Sequence, residues 1–202
     1  GQPQFMQFSK TEIQHIARAW AAITLAFAIM SSGGNLFSST FLFALFVSAI
    51  TVGTGFVAHE LCHKYLAQRY GFISEFRAFD QYLVLAIIMS FFGFIFAAPG
   101  AVFIAGRIDR VRNGRISAAG PLANIVMAAV FLALAFVPVQ IIQIIAVSGL
   151  TINAWLAFFN MLPFGNFDGA KIFAWNKMVY AFLAAAALIL LVIPSVLATK
   201  TF

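Results

Sequence analysis

The sequence predicts an all-α integral membrane protein with about five transmembrane helices and one re-entrant segment. Three observations predict it. Of 202 residues, 63% are apolar and only 9% are charged, whereas soluble domains average roughly 45–50% and about 25%. Apolar runs of about 20 residues recur to the C-terminus, and at 1.5 Å per residue each can cross a roughly 30 Å hydrocarbon core. The charges gather in short loops between those runs. The length suits one membrane-embedded domain over 1–202 and no separate soluble module of ordinary size. A net charge of +6 is not a nucleic-acid footprint here, because the basic residues sit where they set orientation and meet anionic lipid heads. The single cysteine, Cys62, excludes an internal disulfide.

Phe8 to Arg18 is mixed in polarity and reads as the interfacial start of a helix. The first span runs from Ile16 to Met30 and ends at Ser31-Ser32-Gly33-Gly34-Asn35; residues 1–40 are thus an N-terminal interfacial and first-span region. The second span covers Phe41 to Leu66. A third apolar region, Tyr82 to Ala105, is broken by Pro99-Gly100. Ile116 to Val137, Ile141 to Leu162 and Lys177 to Ala198 complete the set, the first two stopped by Pro138 and Pro163.

Charge decides how 82–105 is read. A single crossing would put Lys64, Arg69 and Arg77 on one side and Arg107, Arg110, Arg112 and Arg115 on the other, against the positive-inside tendency. If the region instead dips in, turns at Pro99-Gly100 and returns, those residues share the cytoplasmic side with Lys10, Arg18, Lys171 and Lys177. Only Lys200 is then outside. Irregular backbone at that depth is tolerated only against protein or a water-filled cavity, so the segment is expected to pack beside the site, not against lipid.

Near the cytoplasmic end of the second span lies His59-Glu60-Leu61-Cys62-His63. Two histidines four apart share a helical face and can hold one metal ion, and Glu60 beside them suits a general base. An ionisable cluster in lipid is costly and marks function. Either a metal hydrolase working in the bilayer or a transporter using these groups as ion carriers fits the pentapeptide. A hydrolytic zinc needs a third protein ligand. Glu12, Glu75, Asp80 and Asp109 fall in basic surface loops and read as solvated charges, and His15 as a partly exposed interfacial residue. Asp168 differs: it comes after the span ending at Pro163, in the otherwise uncharged segment Asn160 to Gly169, and descends to the same membrane side. Gly165 and Gly169 permit the turns that would aim its carboxylate back. Gly53 and Gly55 read as close helix packing.

Asn160 to Gly169 fits NxxPxxxxDG, Gly120-Pro121-Leu122-Ala123-Asn124 fits GxxxN, and with the HExxH pentapeptide they stand in a fixed order. Together they resemble the site-2 protease family of intramembrane zinc metalloproteases, over roughly 41–176, and Pro99-Gly100 resembles the turn of that family's re-entrant segment. The resemblance implies one Zn2+ per chain held by His59, His63 and Asp168, with Glu60 activating water at the metal. It implies Asn160 and Asn124 as residues assisting substrate binding or the oxyanion, a site near the cytoplasmic side, and a transmembrane protein as substrate. Cys62 departs from the small residue usual there and reads as packing between helices. No PDZ-like or nucleotide-sensing module stands in these residues, which leaves substrate choice to the membrane core or to other proteins. A prenyl-protein-type membrane endopeptidase, with its third ligand on another helix, is the alternative protease.

Overall fold

Residues 6–95 and 99–198 are described in the computed structural model, so Lys200 lies outside the described residues. Among the described residues, five helical stretches are long and apolar enough to cross a membrane: Lys10–Ser31, Ser39–Arg69, Arg110–Leu134, Gln140–Asn160 and Lys177–Ser195. They coincide with the five predicted spans. Helix α1 (Lys10–Ser31) starts where Ser9 Oγ accepts the Glu12 N–H at 3.0 Å, satisfying one of the donors a helix start leaves open. The second span is α2 (Ser39–Ser48), a π-helical turn (Ala49–Gly53) and α3 (Thr54–Arg69) in unbroken succession. In that turn the buried Thr51 hydroxyl donates to Val47 O at 2.8 Å. Such a turn re-aims the next helix, and α3 is the helix that carries both His59 and His63.

The re-entrant region is built differently from expectation. Strand β1 (Ile73–Ala78) pairs antiparallel with β2 (Gly100–Ala105), Ile73 opposite Ala105 and Ala78 opposite Gly100. The chain therefore leaves and returns side by side. Between them α4 (Asp80–Ser90) has 11 residues, too few to cross a roughly 30 Å core. The described turn lies at Phe91–Gly93, where Gly93 has φ +82°. Pro99-Gly100 is instead the lip of β2, which corrects the expected turn there. Pro99 is tolerated because it precedes the strand, and its carbonyl accepts the Phe79 N–H at 3.0 Å. The sheet packs on α3, with the Phe56 and Phe76 rings edge to face at 5.7 Å, and Val52, Phe56, Phe76 and Leu83 share one apolar core with α1.

Glu12, read as a solvated charge, and Lys64, counted with the cytoplasmic basic residues, are both buried. Glu12 is 0% and Lys64 1% exposed, with Lys64 Nζ donating to Glu12 Oε1 and Oε2 at 2.8 and 2.7 Å. The reason is the outer edge of β1. Its Phe76 N–H donates to Glu12 Oε1 at 2.8 Å, its Ser74 O accepts from Lys64 at 3.0 Å, and its Ala78 N–H donates to the half-buried His15 at 2.9 Å. Those backbone groups would otherwise be orphaned in an apolar setting. The other acids match the surface reading: Asp80 pairs with Arg18 at 3.1 Å, and Glu75 meets Ser9 and Arg77. Asp109 caps α5 (Arg110–Leu134), and the Arg112 N–H at 2.9 Å holds its carboxyl below the usual carboxylate range. Helices α5 and α6 (Gln140–Asn160) meet through Ala128, Phe131, Leu150 and Ala154, and α7 (Asp168–Trp175) and α8 (Lys177–Ala198) close the chain.

Candidate metal centre

One face of α5 builds the site against α3. His63 Nδ1–H donates to Ile116 O at 2.7 Å, and His59 Nδ1–H donates to Asn124 Oδ1 at 2.6 Å. Residues 116 and 124 are two turns apart on α5, and His63 and His59 are one turn apart on α3 in the opposite order, so the helices run antiparallel with the imidazoles between them. Gly120 lies midway on α5. A Cβ there would run into Nε2 of both histidines, so the missing side chain is the space in which the two nitrogens meet.

Both Nδ1 atoms face carbonyl oxygens, which fixes the Nδ1–H tautomer and turns the Nε2 lone pairs inward. The Asn124 amide cannot be reversed cheaply, since its Nδ2 donates to Gly55 O at 3.0 Å and Asn153 Oδ1 at 3.1 Å. The two Nε2 atoms stand 2.9 Å apart.

Asp168 arrives by a broken chain. Helix α6 ends at Asn160, Pro163 cannot continue it, and Gly165 takes φ +59°. A Cβ on Gly169 would strike the backbone of Met161 and Leu162, so glycine lets the start of α7 dock onto the end of α6. That docking places Asp168 Oδ2 3.2 Å from His59 Nε2 and 3.1 Å from His63 Nε2. The other carboxylate oxygen looks towards Lys171 Nζ at 3.9 Å.

Two inward lone pairs and one carboxylate oxygen, all buried and within 4.8 Å of one another, form a donor set for a cation. Ligands at about 2.0–2.2 Å from a tetrahedral ion lie roughly 3.3–3.6 Å apart; the separations here, 2.9–3.2 Å, need only slight expansion. The residues fit a metal of the zinc type. Glu60, next to His59, is 8% exposed and its Oε2 is buried without a hydrogen-bond partner. An orphaned carboxylate oxygen beside a metal site is placed to receive a proton.

Of the residues singled out in the sequence, the structure brings His59, His63 and Asp168 together. Asn124, expected near substrate, is fully buried behind His59 and bonded through both amide ends. Asn160 closes α6, half-buried, with its Nδ2 on Leu156 O at 2.8 Å. Cys62 is half-buried and outside the donor set. Three participants were not foreseen: the Ile116 carbonyl, which leaves no trace in sequence; Lys171; and Asn153, whose polarity inside an apolar span is itself a signal. Gly120→Ala is expected to lower metal content at least about tenfold, measured by elemental analysis of purified protein alongside the unchanged chain.

Over 179 residues the chain is 39% identical to a protein of Methanocaldococcus jannaschii provisionally named a zinc metalloprotease, a match covering 87% of this chain and 90% of that one. No family model and no solved structure matches the chain. With that likeness over nearly the full length of both chains, and with HExxH, GxxxN and NxxPxxxxDG converging on one buried His-His-Asp cluster, the chain belongs to the site-2 protease family of zinc metalloproteases.

Proposed function

We propose that this protein is an intramembrane zinc metalloendopeptidase that hydrolyses peptide bonds in or near transmembrane segments of other membrane proteins. The observation that carries the reading is the buried triad itself: two of its members lie on a 31-residue helical stretch apolar enough to cross a membrane, with Glu60 between them. His59, His63 and Asp168 would hold one zinc per chain. When bound, zinc supplies a Lewis acid for the scissile carbonyl and lowers the pKa of a coordinated water towards about 7.

The chain's own residues do the rest. Glu60 Oε2 takes the proton of the attacking water and returns it to the leaving amine. Asn160 keeps one amide N–H on Leu156 O, which leaves the second to donate to the developing oxyanion; loss of one such donor typically costs about 3–4 kcal/mol. The basic loops would set the site towards the cytoplasmic side, from which water would enter.

A transmembrane helix buries its peptide bonds in its own hydrogen bonds, so substrate must unwind before it can be cut. An extended substrate strand can pair with the sheet. The β1 edge is closed by Glu12, His15 and Lys64. Because Phe76 N–H points away from β2, the antiparallel alternation turns the backbone groups of its partner Val102, and of Ile104, away from β1. The β2 edge is therefore the one a substrate would join.

The test is metal removal on purified protein in liposomes with a helical membrane substrate. The expected result is about one zinc per chain, cleavage lost on chelation and restored by zinc. Cleavage that persists in the metal-free protein would overturn the reading.

A further inference from the structure

Resting on the zinc reading above, we infer that Asn153 is a positioning residue for the metal, acting through Asn124 to fix the tautomer of His59. The observations lie on three helices. Asn153 of α6 is 0% exposed, and its Oδ1 accepts from Asn124 Nδ2 of α5 at 3.1 Å, while its own Nδ2 donates to Gly149 O at 2.9 Å. Its carboxamide occupies the space where a Cβ on Gly55 of α3 would sit, and Gly55 O accepts the other Nδ2 hydrogen of Asn124 at 3.0 Å. Gly149 has its own constraint: a Cβ there would strike the ring of Phe131, so the absent side chain lets α6 lie close enough to α5 for the Asn153 amide to reach.

The direction of each bond carries the argument. Asn153 offers an acceptor to Asn124, and only a donor satisfies it. That requirement, together with the Gly55 carbonyl that takes the other hydrogen, points Asn124 Nδ2 away from His59 and Asn124 Oδ1 towards it. His59 must then hold its proton on Nδ1 and present a bare Nε2 to the ion. A reversed Asn124 amide would face His59 with a donor, move the imidazole proton to Nε2 and cost the site a ligand. Asn153 is thus two residues removed from the metal and in contact with neither ion nor substrate.

The probe is Zn2+ or Co2+ alone, titrated into metal-free protein. Asn153→Ala is expected to weaken zinc affinity about tenfold, within the range seen when residues supporting a metal ligand are replaced, and to alter the visible spectrum of the Co2+ form. In an Asn124→Ala background the same substitution should add no further loss, because the two act in series. Asn153→Asp, which keeps an acceptor for Asn124 and, protonated in its buried setting, a donor for Gly149 O, should hold zinc within about threefold of the unchanged chain; a tenfold loss in this variant would overturn the relay even if Asn153→Ala does not fold. Losses that add in the double variant, or an Asn153→Ala protein that binds Zn2+ as tightly as the unchanged chain, would overturn the relay alone. An unchanged chain that binds neither metal would overturn the zinc reading and the relay together.

Discussion

Glu60→Gln is expected to reduce peptide hydrolysis about a thousandfold while one zinc per chain stays in place. The substitution keeps shape and volume and removes only the ability to accept a proton. Nothing in the geometry makes the fold depend on the carboxylate: Glu60 is 8% exposed and its Oε2 has no hydrogen-bond partner. The metal does not depend on it either, since His59, His63 and Asp168 supply the donors. Removing a carboxylate whose buried Oε2 has no hydrogen-bond partner should leave thermal stability unchanged or raised, the trade commonly found between stability and activity at reacting groups. The checks are single-turnover cleavage of a helical membrane substrate, metal analysis and thermal unfolding of the same preparation. Near-normal cleavage by the Gln variant would remove Glu60 from the proton-transfer role. Zinc lost together with activity would instead mean that Glu60 supports the metal.

What the sequence made legible was what depends on local spacing and bulk polarity. Spans come from runs of apolar residues, so the five long helices fall where hydropathy puts them. His59 and His63 share a helical face by arithmetic alone, and Asp168 stands out because its surroundings carry no other charge. What stayed hidden depends on pairing between distant residues. The β1–β2 ladder joins residues 73–78 to 100–105; β1 contains Glu75 and Arg77, and counted as charges they read as a basic loop. The burial pattern beneath, Ser74 and Phe76 inward and Ile73 outward, has the period of a strand, but one six-residue alternation is a weak signal in so apolar a chain. The Ile116 carbonyl that holds His63 Nδ1 is backbone and belongs to no motif. Gly120 illustrates the intermediate case: GxxxN marks it, but its purpose as room for two imidazoles needs the packing of α3 on α5.

Glu12→Leu is expected to cost about 3–5 kcal/mol of stability, the usual consequence of leaving one half of a buried ion pair behind. Lys64 would then keep an ammonium at 1% exposure with Ser74 O as its remaining hydrogen-bond partner, and Phe76 N–H would lose its acceptor. The pairing was invisible in sequence because the two residues are 52 apart and each, counted singly, belongs with surface charge. The fold nevertheless gains a specific arrangement from them. One carboxylate ties α1 to the strand edge and to α3 at the residue after His63, and it closes the β1 edge, so that under the proposed function an extended substrate is left with β2. The double variant Glu12→Leu/Lys64→Met separates pairing from edge closure. It removes both charges but leaves Phe76 N–H and Ser74 O unpaired, each worth about 1–3 kcal/mol, so it should unfold at a temperature above either single variant and below the unchanged chain. If the double variant is no more stable than the worse single one, the two residues act separately, and the strand edge, not the ion pair, is what they stabilise.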